Sequence, residues 1–236
     1  MTTQSISAIV GSGRQSREFT DTSTDDTWNA NVLTDSVAST NLGLVMPGAT
    51  IDHVQVTYQA GACLWRIQSA QTLTVKRWGY GVQADYGPLW ADAAIAPYVV
   101  APDDILVAYP IAVDSGVQET ACVGWVMTSK GHEAFGASSI ADDTATEIKT
   151  LVNAQTLGDY AFGSTLQGVT IQAEDGATVK EVQIIDQTGG TVWVGYGGKR
   201  APTIGGLNPM WNFRADGLSI PVQKGWSLKV VTVSQG

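Results

Sequence analysis

The sequence predicts an all-β protein: two tandem, internally duplicated antiparallel β-sandwich or jelly-roll domains that follow an N-terminal arm. Short runs of β-branched and aromatic residues recur along the chain, with Gly, Asp and Pro between them. The second half repeats segments of the first half in the same order. Helical periodicity is nearly absent, and a parallel sheet would need helices between its strands. These three observations favour two similar antiparallel β domains.

Both halves contain runs in which apolar and polar residues alternate, a pattern typical of strands with one face in the core and one toward solvent. In the first half the predicted strands are Leu42–Met46, Ala49–Tyr58, Ala62–Ile67, Thr72–Trp78, Asp104–Val113 and Glu119–Thr128. In the second half they are Leu166–Ala173, Ala177–Asp186, Thr191–Tyr196, Gly217–Val222 and Trp226–Val233. Turn residues such as Asp175-Gly176 separate them.

The internal repeat is clearest between Ala49–Trp65 and Ala177–Trp193, which are identical at seven of 17 positions without a gap. Downstream, a Pro-Leu-Trp triplet in the first half matches a Pro-Met-Trp triplet in the second. Tryptophans at equivalent positions of both copies predict a packing role in each core. The residues that we take as the repeat framework are Trp65, Trp193, Trp90, Trp211, Gln55 and Gln183.

The same alignment predicts the domain boundaries. Residues 1–20 have no counterpart in the second copy, so we expect them to form an N-terminal arm rich in Ser, Thr and Gly. We expect the first repeat over 21–130 and the second over 138–236, with the glycine-containing segment Gly131–Ser139 as the link between them. The one stretch compatible with a helix is Asp142–Leu157, which Asp142 or Asp143 could cap.

Charge excludes one class of partner. The chain carries 13 basic and 22 acidic residues, a net charge of −9, so a phosphate backbone would be repelled over most of its surface. We therefore expect no direct binding of nucleic acid. No apolar run is long enough to span a bilayer. The first residues lack a basic segment followed by an apolar one, so we expect synthesis in a host cytoplasm without a signal peptide.

The residues needed for catalysis or metal binding do not fall into a recognisable pattern. The two histidines, His53 and His132, have no partner at a spacing typical of a metal site or a catalytic triad. Asp pairs lie beside Gly, Thr or Pro, where Asp favours turns. We expect no catalytic, cofactor-binding or metal-binding residue and no enzymatic activity, while calcium or glycan binding by a loop stays open. Cys63 and Cys122 are expected to be buried and reduced.

Unpaired aromatic residues are candidates for an interaction surface. The segment Arg77–Trp90 is the richest in aromatic rings, and the matching part of the second half carries fewer. We single out Trp78, Tyr80 and Tyr86 as surface or interface aromatics. Rings exposed on such a loop could stack on a sugar or anchor a protein partner.

Low charge, tandem duplication and the arm make the chain resemble small all-β, jelly-roll or sandwich structural proteins of bacteriophage virions. The resemblance implies a capsid decoration or cement protein that lies outside the shell and stabilises it by bridging capsomers. Its partners would be capsid shell proteins and copies of itself, as a homotrimer in the virion. Two alternatives stay open: a jelly-roll capsid shell protein, and a carbohydrate-binding module of a tail spike or surface protein. A β-sandwich glycosidase would need two catalytic carboxylates.

Overall fold

The protein consists of two units, Met1–Val113 and Asp114–Gly236, and each is built almost entirely of β-strands, as the sequence predicts. The structure is a computed structural model, and it describes residues 3–12, 15–24, 30–58, 61–83, 94–112, 120–151, 153–173, 177–197 and 213–234. Each unit holds an eight-stranded sheet and, in its described residues, one short helix. The predicted all-β fold with two tandem β domains is confirmed.

Unit 1 forms a sheet with the strand order β1-β2-β3-β8-β5-β6-β4-β7, in which β1 also pairs with β4. Its elements are β1 (Thr3–Ser12), β2 (Gln15–Thr24), β3 (Asn31–Asp35), α1 (Leu42–Val45), β4 (Thr50–Tyr58), β5 (Gly61–Ser69), β6 (Val75–Gln83), β7 (Ala94–Val99) and β8 (Asp104–Ala112). The neighbours β4-β1-β2-β3 follow the strand order of a Greek key.

Strand β4 closes the sheet of unit 1 on itself. One edge of β4 pairs with β1, and the other pairs with β7 near its start and with β6 at its end. The β4–β6 pairing, between Thr57 and Val82 and between Tyr58 and Gln83, is parallel, whereas the other pairings of the unit are antiparallel. The apolar side chains inside this closed sheet form the core of unit 1.

Unit 2 repeats this topology element by element. Its elements are β9 (Thr120–Thr128), β10 (Gly131–Ile140), β11 (Thr146–Thr150), α2 (Leu157–Ala161), β12 (Thr165–Ala173), β13 (Ala177–Ile185), β14 (Thr191–Tyr196), β15 (Phe213–Pro221) and β16 (Ser227–Ser234). When β9 is matched to β1, β10 to β2, and so on to β16 and β8, the strand order β14-β13-β16-β11-β10-β9-β12-β15 reproduces the antiparallel pairings of unit 1. In the described residues, no pairing of β12 with β14 corresponds to the parallel pairing of β4 with β6. Unit 2 also has one contiguous core.

This correspondence corrects the repeat alignment by one strand. In the strand order β4 corresponds to β12 and β5 to β13, whereas the sequence alignment placed β4 on β13. Ile67 pairs with Leu106 of the last strand of unit 1, and Ile184 pairs with Leu228 of the last strand of unit 2, so the two isoleucines correspond. Two residues before them, the counterpart of Trp65 is therefore Val182 and not Trp193. Alternating strands of similar composition resemble one another closely enough that a shift of one strand still gives many identities.

Residues 1–20 are not an arm, which also moves the first domain boundary. Residues 3–12 form β1 and residues 15–20 form the first part of β2, and the side chains of Ile6, Ala8, Val10 and Phe19 are fully buried in the core of unit 1. The alternation of apolar residues in this segment is that of a strand with one face buried. Unit 1 therefore begins with the first strand rather than at residue 21.

The predicted link and helix are strands. Gly131–Ser139 lies within β10, where Ala134 and Phe135 are fully buried, and β9 and β10 open unit 2 instead of closing the first repeat at residue 130. Within Asp142–Leu157, residues 146–150 form β11, and the helix begins only at Leu157. Thr156 caps that helix by accepting a hydrogen bond from the Asp159 N–H.

Each helix packs against the turn before the last strand of its unit, through a glycine. A Cβ at Gly43 would lie 2.5 Å from the carbonyl oxygens of Ala101 and Pro102. A Cβ at Gly158 would lie 2.5 Å from the Trp226 nitrogen. These distances exclude any side chain at either glycine. The helix and the turn are therefore fixed to each other in both units.

Candidate interaction surface

One end of unit 1, which we call the helix end, brings together four segments of the chain. It consists of the turn 36–41, α1 with the following residues 46–49, the β5–β6 turn 70–74, and the β7–β8 turn 100–103. The Gly48 N–H donates to the Val100 carbonyl at 2.9 Å, and the Ala70 N–H donates to the Asp103 carbonyl at 2.8 Å. These hydrogen bonds and the close packing at Gly43 hold the segments side by side.

The helix end exposes four large aliphatic side chains, one on the turn after β3, one on α1, one on the β5–β6 turn and one at the end of β7. The exposed fractions are 88% for Val37, 65% for Leu44, 62% for Leu73 and 58% for Val99. Single exposed apolar residues are common, whereas several at one end of a domain make that end a candidate interaction surface. We call these four residues the apolar set.

Three of the four positions of the apolar set carry other residue types in unit 2, whereas Val37 corresponds in sequence register to Val152. Asp159 on α2 corresponds to Leu44, because the two helices and their preceding turns superpose in sequence register. Gly189 corresponds to Leu73, because each precedes the residue whose carbonyl oxygen accepts the hydrogen bond that closes the turn. Pro221 corresponds to Val99, because Pro221 pairs with Thr165 at the start of β12 and Val99 pairs with Thr50 at the start of β4. Leu44, Leu73 and Val99 are therefore specific to unit 1 and are not a consequence of the shared fold.

The turn that carries Val37 is held by a buried carboxylate. The Asp35 side chain accepts hydrogen bonds from the backbone N–H groups of Ala38 at 2.6 Å and Val37 at 3.1 Å. It also forms an ion pair with Arg17, with 3.2 Å between Nη1 and Oδ2. The Ala38 N–H, together with Arg17, lowers the pKa of Asp35 below its ordinary value despite the opposing effect of burial.

Strand β7 is tied to β6 by a side chain. Arg77 donates from Nε to the Ala96 carbonyl at 3.0 Å and from Nη2 to the Pro97 carbonyl at 2.9 Å, and its guanidinium lies 5.0 Å from the ring centroid of Tyr98. The Tyr98 hydroxyl in turn donates to the buried Asp104 carboxylate at 2.5 Å. Burial, and secondarily Asp104, raises the pKa of Tyr98. Arg77 thus orients the strand that ends in Val99.

The structure separates the predicted framework residues. Trp65 on β5 is fully buried in the core of unit 1, whereas Trp193 on β14 is half-buried and packs edge to face on Phe213 with 6.2 Å between ring centroids. Gln55 is half-buried on β4. Gln183 on β13 donates from Nε2 to the Glu181 carboxylate at 2.7 Å. The two tryptophans therefore do not occupy equivalent places.

The predicted surface aromatics are only partly described. Trp78 lies half-buried on β6, across from Arg66 of β5. Tyr80 lies on the same strand, and its side chain is outside the described part of the structure, as are Tyr86, Trp90 and Trp211 as a whole. Cys63 and Cys122 are buried free thiols, which confirms that prediction.

Two features are absent from the described residues. No three His, Cys, Asp or Glu side chains within the described ranges are grouped so that they could hold a metal ion. None of the helices found in those ranges is long and apolar enough to cross a membrane. His53 lies exposed on β4, and His132 lies half-buried on β10.

Sequence reasoning did not find the apolar set. Leu44, Leu73 and Val99 are ordinary residues of helix, turn and strand in the linear sequence. The signal that could have found them is the repeat in its correct register, which places Leu44 opposite Asp159 within the similar segments NLG and TLG. Comparison of the chain with protein-family models, with curated proteins and with solved structures found no match.

Proposed function

We propose that this protein is a structural protein of a virion, an outer capsid decoration or cement protein whose copies associate through the apolar set of unit 1. The observation that carries the proposal is the contrast between the units. One fold occurs twice, and Leu44, Leu73 and Val99 of unit 1 correspond to Asp159, Gly189 and Pro221 of unit 2. A surface that departs from its own duplicate in this way is suited to a specific contact.

The physical advantage of such a contact is the removal of apolar surface from water. Burial of exposed apolar area contributes roughly 25 cal/mol per Å², and several aliphatic side chains together form the kind of charge-poor centre found in subunit interfaces. The Asp35 and Arg77 contacts hold the Val37 turn and the β7 strand in place before association. Preorganised groups lose little conformational entropy on binding.

The decoration role follows from charge and duplication. A net charge of −9 suits a position outside a shell, away from a packaged nucleic acid. Two units of one topology can contact similar environments in a symmetric array, and three copies of a two-unit chain give a ring with pseudo-sixfold symmetry. Stabilisation would then be mechanical, because each trimer bridges neighbouring capsomers.

The test of this role uses virus particles from cultures that express the gene. An antibody raised against the recombinant protein is applied to purified particles, and the particles are then treated with increasing urea. We expect surface labelling and release of the protein at a urea concentration that leaves the shells intact. Release only when the shells themselves dissociate would assign the protein to the shell. Absence of the protein from the particles would overturn the proposal.

A further inference from the structure

A concave surface lies in unit 2, at the end that carries α2. Its volume is about 400 Å³, within the range of small-molecule sites. It is an open depression bordered by the residue after α2, the β13–β14 turn and the turn before β16. Its lining includes Phe162, Asp186, Thr188, Gln223, Lys224 and Trp226.

The two aromatic residues of this pocket are held rigidly. Trp226 is half-buried against the core of unit 2, and its carbonyl accepts a hydrogen bond from the Gly158 N–H at 2.8 Å. Phe162 directly follows α2 and is 52% exposed, and its carbonyl accepts a hydrogen bond from the Lys130 ammonium. Phe162 therefore presents an open ring, and its carbonyl is bonded by a side chain of the β9–β10 turn.

The polar wall of the pocket is equally fixed. Asp186 Oδ1 accepts hydrogen bonds from the Thr188 hydroxyl at 2.7 Å and from the N–H groups of Thr188 and Gly190, both at 2.8 Å. The Thr188 hydroxyl and these amides lower the pKa of Asp186, so the carboxylate is ionised at neutral pH. Its charge is opposite to that of Lys224, so the charged groups of the lining balance.

The aromatic pair is absent from the corresponding positions of unit 1. Pro47 stands where unit 2 has Phe162, because each residue precedes the positive-φ glycine that follows the helix, Gly48 or Gly163. Asp104 corresponds to Trp226. Each residue stands at the start of the last strand of its unit, and its backbone nitrogen lies against the glycine of the helix. The aromatic pair is thus specific to unit 2.

We propose that this pocket is a carbohydrate subsite that binds one pyranose residue of a neutral glycan. Aromatic rings pack against the apolar faces of sugars, while carboxylate, amide and ammonium groups at the rim hydrogen-bond to hydroxyls. The balanced charge of Asp186 and Lys224 favours a neutral glycan over an acidic one. This inference goes beyond the structural role proposed above and does not depend on it.

The test is a glycan array that carries neutral and acidic glycans, followed by titration calorimetry with the neutral oligosaccharide that gives the strongest signal. We expect binding that weakens at least tenfold in Phe162→Ala and in Lys224→Met, both exposed positions whose change should leave the fold intact by circular dichroism. The matched control is Tyr196→Ala, which removes an exposed ring of the same unit at the far end of β14 and should leave binding unchanged.

Three results would overturn the proposal. They are no binding to any neutral glycan on the array, binding confined to acidic glycans, or binding that Phe162→Ala and Lys224→Met leave intact. Failure of these experiments would leave the virion role standing, because that role is tested on particles and does not involve the pocket.

Discussion

At the scale of single residues, the two units solve the same local problem with different side chains. The β5–β6 turn and the β13–β14 turn both need a left-handed backbone before their closing residue, with φ of +58° at Leu73 and +87° at Gly189. Unit 2 uses glycine, which adopts this conformation without strain, whereas unit 1 keeps an exposed leucine. A strained, exposed leucine is consistent with a role in contact rather than in folding.

We predict that, in the Leu44→Asp background, where association through the apolar set is removed, Leu73→Gly stabilises unit 1 by about 1 kcal/mol, because the relief of left-handed strain exceeds the entropy cost of glycine. The free energy of unfolding in urea measures this change. Leu73→Ala is the control, since it removes the same side chain but keeps the strained Cβ. Equal stabilities of the two variants would contradict the account of this turn.

We predict that Asp35→Asn lowers the urea midpoint at pH 7 and that the difference from the parent disappears in acid. The pKa of Asp35 is lowered in the folded state, so its stabilising effect is complete above the ordinary aspartate pKa of about 4. The effect is then lost as the pH falls through the lowered folded-state value. Asp52→Asn on the exposed face of β4 is the control. A pH-independent difference would count against the Arg17 and backbone contacts.

At the scale of elements, the gap between the sixth and seventh strands is closed differently in the two units. Arg77 and Trp193 occupy corresponding positions, because Arg77 pairs with Ile67 and Trp193 pairs with Ile184. Arg77 reaches β7 with hydrogen bonds, and Trp193 reaches Phe213 of β15 with a ring contact. One topology therefore accommodates a polar or an aromatic bridge at the same point.

We predict that Arg77→Met lowers the stability of unit 1 by about 1 kcal/mol and accelerates hydrogen exchange in the 94–99 segment, since two hydrogen bonds to β7 are lost. Peptide-level exchange measured by mass spectrometry locates the effect. The neighbouring variant Lys76→Met should leave β7 unchanged. If exchange in β7 is the same in both variants, Arg77 does not hold the strand.

The elements also show what sequence alone can predict. Period-two alternation is a local signal, so it correctly predicts strands such as Ala49–Tyr58 and Ala177–Asp186. The same signal lies in residues 5–10, where the high content of Ser and Gly led to the prediction of an arm. The repeat register and the apolar set depend on long-range pairing, which similar strands specify poorly in the linear sequence. The strand order establishes both.

At the scale of the whole molecule, each unit has its own core and its own buried cysteine. Cys63 lies in the core of unit 1 and Cys122 in that of unit 2, and burial raises the pKa of both thiols to about 12. A thiol with such a pKa is ionised to roughly one part in ten thousand at pH 8, and it is also shielded from reagents. The two cysteines are therefore separate reporters of unfolding.

We predict that neither thiol reacts with a disulfide reagent in the native protein at pH 8 and that each reacts only when its unit unfolds. Labelling across a urea series, read by mass spectrometry of the two cysteine peptides, gives a midpoint for each unit. Leu73→Gly should shift the Cys63 midpoint and leave that of Cys122 in place. Rapid labelling in the absence of urea would contradict the burial of these residues.

We predict that copies of the protein associate through the apolar set of unit 1. Light scattering coupled to size exclusion, which measures absolute mass, tests it most directly. We expect a trimer, three times the 24.9 kDa chain mass, for the parent protein. Leu44→Asp, which introduces the residue type that unit 2 carries at Asp159, should give a folded monomer. A parent protein that stays at 24.9 kDa at every concentration, or a Leu44→Asp variant that remains trimeric, would contradict the account.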